Sequence, residues 1–363
     1  MAYRTMDEDP DPTTVRRLVF VPFLPGGSGT AASDGGPTGA TADPDDGVRA
    51  AASGRGGARV AVPDGPVGPH LPAGDVEPGE HWLLDASRRI PMLTAGFRAQ
   101  RIHPFAADGD TVYAWLDGDR YTGTRPHRRV RLVVDDPAGI ARRLAAAGRT
   151  EQATALRDGH RSFLDQDESS YYADNLRLLE PAYLRGSTPQ AGSGFGGDAA
   201  LWRTRRGIIM NGIDRHGTFL DVGCANGLLA ESIQSWAAER GLRVEPYGVD
   251  LAPRLVALAR RRLPHWADRF DVGNAIDWRP DDGQRFTFVH VLLDLVPAAR
   301  TGDLLRHALD TLVERGGRLL VSVYQGPGGS LPGAAEQVSR LGFPVAGAST
   351  TDDGAASTAW LDS

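Results

Sequence analysis

From Gly217 to Ser232 the sequence reads GTFLDVGCANGLLAES. An apolar run ends in an aspartate, breaks at Gly-x-x-x-Gly, and continues with helical spacing. A buried strand must stop there, turn through glycine, and feed a helix whose first N–H groups have no partners of their own. The chain from about Trp202 repeats this alternation. TFLDVG leads to a helix over Leu228–Arg240, and VEPYGVD to a helix over Pro253–Leu263. RFDVGNA and FTFVHVLL follow, then a helix over Thr301–Val313, the strand GGRLLVSVY and a helix over Ala334–Leu341. FPVAGAS and STAWLDS close the pattern. Apolar strands joined by amphipathic helices predict an α/β fold, a Rossmann-like doubly wound sheet of seven strands. The short last connection predicts an antiparallel edge hairpin.

Open α/β sheets bind ligands at the carboxyl ends of their strands. Gly223 and Gly227 let the backbone turn and approach a ligand with no Cβ in the way. Asp221 places a carboxylate at this loop, which suits a ligand ammonium better than a phosphate. Asp250 ends the next strand, where an acid can accept both hydroxyls of a ribose. The third strand runs into VGNAIDW, where the Asn274 side chain can bond an adenine amino group and apolar neighbours can flank the ring.

These strand ends together resemble the class I S-adenosylmethionine-dependent methyltransferases, and Leu220–Gly227 resembles that family's first motif. The resemblance implies S-adenosylmethionine as cofactor, held by Asp221, Gly223, Cys224, Ala225, Asn226 and Gly227. It implies a ribose contact at Asp250 with Leu251 beside it, and an adenine contact at Asn274 and Ala275. The family often has Asp where this chain has Asn274. Cys-Ala-Asn replaces a loop in which a further glycine is common, so which amides touch the cofactor stays open. Cys224 also reads as a small loop filler, and Asp221 as a brace for loop amides.

The lead-in SSYYADNLRLLEPAYLRGSTPQAGSGFGGDAALWRTRRGI resembles that of a bacterial methyltransferase subgroup. In such enzymes these helices close over the cofactor and shape the acceptor site. Tyr171, Tyr172, Asn175, the Gly194 loop and Arg206 are therefore candidates, with Arg206 suited to the methionine carboxylate of the cofactor. Tyr172 and Trp202 read equally as packing aromatics. Residues after the fourth strand face the acceptor in that family, so the resemblance implies that His290 and Asp294 of FVHVLLDLVP lie near it. His290 reads as a general base, a cofactor contact or filler, Asp294 as a loop cap, and Tyr171 or Tyr172 as acceptor-positioning groups.

The first 134 residues differ. RRLVFVPFLP and ARVAVP predict strands of one hairpin, interrupted by the Gly26–Gly57 tract, which carries no aromatic residue and predicts a mobile loop. A helix over Glu80–Leu93 and strands in TVYAWLDG and RRVRLVVDD predict an α+β unit. LPAGDVEPGEHWLLDASRRIPMLTAGF resembles a Nudix box at Gly74, Glu80 and Arg88, and at Gly96-Phe97 with one residue inserted. The paired glutamates fall on Met92 and Leu93, or on Leu93 and Thr94, and the glutamate after the arginine on Arg89 or Ile90. Mg²⁺ needs hard oxygen ligands, so the expectation is a Nudix-like domain with no metal site and no hydrolase chemistry, serving dimerisation, substrate shaping or docking. An unrelated small α+β domain is the alternative. A helical linker and lid is expected over 135–201, and the methyltransferase domain over 202–363.

All 40 basic residues are arginine. Without lysine there is no Schiff-base or P-loop chemistry of the usual kind. A net charge of −6 argues against a nucleic-acid-coating surface. One cysteine excludes an internal disulfide. The acidic, polar start predicts no signal peptide, and no apolar run would span a membrane, so a cytoplasmic location is expected. The function expected is methyl transfer to a small molecule, in specialised metabolism, with a homodimer among the assemblies considered. A cofactor-binding regulatory or docking protein and an RNA methyltransferase are the alternatives.

Overall fold

The computed structural model describes residues 4–5, 11, 13–24, 58–120, 131–325 and 332–363. The Gly26–Gly57 tract lies outside them, as does the first part of RRVRLVVDD. The chain forms two compact units, Met1–Ser170 and Tyr171–Ser363.

In the first unit, β1 (Arg17–Leu24) pairs antiparallel with β2 (Arg59–Gly65), the expected hairpin. β3 (Ala73–Asp75) also pairs with β1, while β4 (Phe97–Asp108) and β5 (Thr111–Arg120) form a long antiparallel hairpin. β5 lies parallel to β1, and β6 (Leu132–Asp135) borders β2. Arg4–Thr5 and Gly68–Pro69 complete a mixed sheet. A π-helical turn over Trp82–Ala86 enters α1 (Ser87–Ala95), which ends at Gly96 with φ 62°. Such a turn takes up one residue more than an α turn does.

The segment 135–201 is shared between the units. Asp136 accepts from Gly139 N at 2.6 Å and starts α2 (Pro137–Ala146), which α3 (Thr150–Leu164) follows. Both pack on the first sheet, where Ile140, Leu144, Leu156 and Phe163 join Val21, Val60 and Trp115 in one core. Phe163 stacks on Phe23 at 4.3 Å and meets Trp115 edge-on at 5.2 Å. An amphipathic helix must bury its apolar face, and for these two that face is the β1–β2–β5 surface.

In the second unit the sheet order is β9 (Phe270–Val272), β8 (Val244–Asp250), β7 (Gly217–Val222), β10 (Phe286–Leu292), β11 (Val313–Tyr324), β13 (Ala356–Asp362) and β12 (Gly347–Thr350). The first five are mutually parallel; β13 runs antiparallel to both β11 and β12. The connecting helices are α6 (Leu228–Glu239), α7 (Pro253–Arg262), α8 (Thr301–His307), continued by a π turn over Ala308–Leu312, and α9 (Ala334–Arg340). α4 (Glu168–Leu184) and α5 (Ala199–Arg206) precede the sheet, and Asp198 caps α5 by accepting from Leu201 N at 2.8 Å. One core holds Leu220, Val249, Val289, Val291, Leu319 and Val321; another holds Phe219, Phe288 and Leu320 with Trp202, Ile209 and Met210. Alternate residues of each strand face opposite helical layers, as in a doubly wound sheet.

Candidate active site

Strand order reverses between β7 and β10, which both pair with their neighbours in parallel. The loop after β7 lies at this switch point. Gly223 N and Cys224 N both donate to Val249 O, at 2.8 and 3.0 Å, and Gly227 N donates to Cys224 O at 2.8 Å. Gly223 and Gly227 have φ of 83° and 78°. Ala225, at φ 46°, is the one non-glycine residue with positive φ among the described residues. A left-handed turn therefore replaces the strand and delivers the chain into α6.

Asp250, not Asp221, braces this loop. Its Oδ2 accepts from Ala225 N at 2.7 Å and its Oδ1 from Ala252 N at 2.8 Å. Burial raises its carboxyl pKa, against the lowering effect of those two amides. Each oxygen keeps a second lone pair for a ligand hydroxyl. Gly273 N donates to Asp250 O at 3.0 Å and brings the end of β9 beside it, with Asn274 next in sequence. Asn274 Oδ1 accepts from Ile276 N at 3.3 Å, while Ala275 and Ile276 pack against the core. Leu251 is half-buried between Asp250 and the start of α7.

Asp221 is paired with His290. Its Oδ1 lies 2.9 Å from His290 Nδ1, and the side chains are 4% and 2% exposed. The other imidazole nitrogen, Nε2, lies 3.1 Å from Ser322 Oγ, which lies 2.8 Å from Thr358 Oγ1. Both ring nitrogens are thus engaged inside the protein. A general base needs a free nitrogen within reach of its substrate, so His290 does not have the geometry of one. It instead supports the Asp221 carboxylate. Ser322 is masked in the sequence as a single small polar residue in an apolar strand, and Thr358 because it follows another small polar residue, Ser357; a small polar residue on an inward-facing position is the available signal.

Two expected cofactor contacts hold the protein instead. The Cys224 thiol is buried in the core with Val256, Ala259 and Phe270, and burial, reinforced by Asp250 and Asp221, pushes its pKa well up. It is a filler, as the bland reading had it. The Asn226 residue is 1% exposed, and both ends of its side-chain amide are engaged within the protein. Its Oδ1 accepts from Ser193 Oγ at 2.6 Å and Leu228 N at 3.2 Å, and its Nδ2 donates to Pro189 O at 2.8 Å. It ties the lead-in segment to the loop, and its backbone carbonyl accepts from Arg262 Nη1. Replacing Asn226 by alanine is expected to cost about 2–4 kcal/mol of stability through the unpaired groups left behind. Limited proteolysis should then cut first within residues 186–194, which chemical denaturation and mass mapping would check.

The lead-in helices supply the remaining walls. Leu176, Tyr183 and Leu184 of α4 pack on Ala225, Ala252 and Leu255, and Glu180 Oε1 accepts from Arg254 N at 2.9 Å. Gly194 has φ 73°, and a Cβ there would stand against the Tyr183 hydroxyl, so this glycine answers to packing within the lead-in. Tyr171 donates to Asp294 O at 2.8 Å and meets the Tyr172 ring edge-on at 5.5 Å. Asp294 is exposed, yet protein crowds its carboxyl group and burial raises its pKa. Its own backbone N–H bonds the carboxyl group, which keeps a loop-orienting contact beside its exposure.

Arg206 lies with its guanidinium carbon 3.3 Å from the centre of the Tyr324 ring, with Trp202 and Phe195 at 5.1 and 5.3 Å. It forms no ion pair among the described residues. The Tyr324 hydroxyl is buried without a hydrogen-bond partner among them, and burial raises its pKa. Sequence reasoning named Arg206 but not Tyr324, which ends β11.

The second unit thus has a Rossmann-like, doubly wound fold. No family model matches the sequence, and no curated protein matches it. Among solved structures, the 1,6-didemethyltoxoflavin-N1-methyltransferase of Burkholderia thailandensis, with its substrate and S-adenosylhomocysteine bound, is 17% identical. That likeness covers 54% of this chain and 90% of that one, at a TM-score of 0.39. A TehB-like SAM-dependent methyltransferase from Corynebacterium glutamicum is 18% identical over 47% of this chain and 90% of its own, at a TM-score of 0.32. The cyclase SpnF is 19% identical over 47% of this chain and 64% of its own, also at 0.32. Ligand and reaction must be argued from the residues themselves.

In the first unit, Glu80 is bound by Arg89 through two contacts of 2.6 Å, and Glu77 lies 3.3 Å from the same guanidinium. The arginine that faces Glu80 is therefore Arg89 and not Arg88, consistent with the extra residue of the π turn. This pairing lowers the Glu80 pKa and raises that of Arg89. At the positions aligned with the paired glutamates, Leu93 is 56% exposed and Thr94 Oγ1 donates to Ile90 O. No group of three His, Cys, Asp or Glu side chains among the described residues is arranged to hold a metal ion. Nor is any described helix long and apolar enough to cross a membrane.

Proposed function

We propose that the second unit binds S-adenosylmethionine and transfers its methyl group to a small-molecule acceptor. The observation that carries this reading is the pair of carboxylates, Asp221 and Asp250, at the ends of adjacent strands around a left-handed glycine loop. Asp221 has one oxygen bound by His290 and no further hydrogen bond among the described residues, which fits a ligand ammonium. Asp250 offers its remaining lone pairs to a vicinal diol. Asn274 and Leu251 flank the place for a base, and Arg206 supplies a cation for a carboxylate.

When bound, the cofactor supplies a sulfonium methyl group for in-line displacement. The residues of this chain orient the two partners and exclude water, which accounts for most of the rate such sites provide. Asp294 takes the proton when the acceptor has one to lose, its carboxyl pKa being raised by burial. Tyr171 fixes the backbone of Asp294, and Tyr172 stands beside it as an acceptor wall. Calorimetric titration with S-adenosylmethionine and S-adenosylhomocysteine tests the reading. Micromolar binding is expected, and no binding by well-folded protein would overturn it.

For the first unit we propose a Nudix-like domain without hydrolase chemistry, acting in docking or dimerisation. The Glu80–Arg89 pair and the apolar Met92 and Leu93 support this. Mg²⁺-dependent diphosphatase activity of the purified protein would refute it.

A further inference from the structure

Four polar side chains form one row across the central strands of the second sheet: Asp221 on β7, His290 on β10, Ser322 on β11 and Thr358 on β13. All four are buried, at 3%, 2%, 1% and 0% exposure. Asp221 and His290 stand directly opposite each other, as do Ser322 and Thr358. Ser322 is registered against Leu292, so His290 reaches it diagonally. One step along the same face lie Phe219, Phe288 and Leu320, with the Phe219 ring 6.3 Å from the imidazole.

Hydrogen-bond chemistry orders the protons in this row. A carboxylate only accepts, so His290 Nδ1 must carry hydrogen toward Asp221. In the neutral ring Nε2 then holds a lone pair and must accept, from the Ser322 hydroxyl. Ser322 oxygen in turn accepts from the Thr358 hydroxyl. The carboxylate therefore selects the Nδ1–H tautomer, and the two hydroxyls, able to turn their protons, accommodate it and hold the ring in place. The other oxygen has no donor among the described residues. That oxygen keeps its lone pairs for a donor from outside the chain.

We propose that His290 is a positioning residue: in its Nδ1–H form, with its ring held from the other side by Ser322 and Thr358, it orients Asp221 so that the second oxygen receives a ligand ammonium. This rests on the reading of the second unit as a cofactor site, and names how that site recognises one end of the ligand. The role extends to residues no motif contains. Asparagine carries an N–H near the place of Nδ1, whereas leucine keeps bulk and removes the donor.

The test uses the full chain and two probes, S-adenosylhomocysteine and the same compound lacking its α-amino group. Wild type is expected to prefer the amine-bearing probe by roughly 10–100-fold, the range for hydrogen bonds to charged groups. His290→Leu should lose that preference while binding the deaminated probe as wild type does; His290→Asn should restore most of it. A parallel loss of both probes, or an unchanged preference in His290→Leu, would overturn the proposal. Should His290→Leu fail to fold, Ser322→Ala serves, with a several-fold drop in preference expected and no drop overturning it. Nitrogen-15 spectra of histidine-labelled protein provide a second reading: a neutral Nδ1–H ring at His290 is expected, and an Nε2–H or doubly protonated ring refutes it. If wild type binds neither probe, the cofactor reading itself fails.

Discussion

Replacing Asp250 by alanine is expected to lower the affinity for S-adenosylhomocysteine by more than roughly 100-fold, with the second unit still folded. Asp250 acts twice. Its two oxygens fix the amides of Ala225 and Ala252, and so set the loop after β7 and the entry to α7. Its remaining lone pairs are the place for two ribose hydroxyls. A hydrogen bond to a charged group contributes about 1.5–3 kcal/mol, and about 1.4 kcal/mol is a factor of ten. Two such bonds lost to the ligand already exceed the stated factor, before any loosening of the loop. The stability loss should be smaller, about 1–3 kcal/mol, because burial already opposes the charge. Calorimetry and thermal unfolding on the same preparation separate the two effects.

The raised Asp250 pKa has a signed consequence. An acid whose folded pKa lies above its ordinary 3.8 takes up a proton more readily folded than unfolded. Its contribution therefore favours the folded unit at low pH, and is lost as pH rises through the raised value. Ligand affinity runs the other way, because protonation turns an acceptor oxygen into a donor. Titrations at successively lower pH should show weakening affinity in wild type over that interval.

The second large effect is expected at Gly223. A methyl group there would stand 2.6 Å from Leu295 Cδ2, and the backbone is held at φ 83°. Left-handed backbone costs an L-residue roughly 1–2 kcal/mol, and forcing the Leu295 side chain aside roughly 1–3 kcal/mol. Gly223→Ala should thus lower the melting temperature of the second unit by roughly 5–15 °C and abolish cofactor binding. Differential scanning calorimetry would check the first, and titration with S-adenosylhomocysteine the second. An unchanged melting temperature would mean that the loop has another conformation.

The second sheet was legible because its central strands are apolar runs of ordinary length, and β7, β8, β10 and β11 are each followed by a helix with a clear face. FTFVHVLL and GGRLLVSVY announce themselves this way. β4 did not: FRAQRIHPFAAD mixes arginine, histidine and proline with its apolar positions, so neither an apolar run nor clean alternation marks it. The helices over 137–164 were legible as helices. Periodicity reveals that a face must be buried, not which sheet will bury it. At the site, position was easier to read than role. Asp221 and Asp250 were both visible as strand-end acids, but which one braces the loop depends on where amides point after the turn. Asn226 reads as a loop residue next to a ligand, whereas its partners at Ser193 and Pro189 come from a segment more than thirty residues earlier. His290 looked like an available base because a sequence does not show what stands at its second nitrogen.

The buried row from Asp221 to Thr358 also bears on how the chain finds its fold. Its members come from strands far apart in sequence, so it can close only after β7, β10, β11 and β13 have assembled. Successive side chains of a strand point to opposite faces, so a slip of one residue would send that strand's member of the row to the wrong side. A carboxylate or imidazole stranded in that way among apolar side chains costs several kcal/mol. Apolar contacts tolerate such slips far better, since one valine or leucine resembles the next. The row therefore penalises misaligned sheets and selects one alignment of the four strands from several of similar hydrophobic energy.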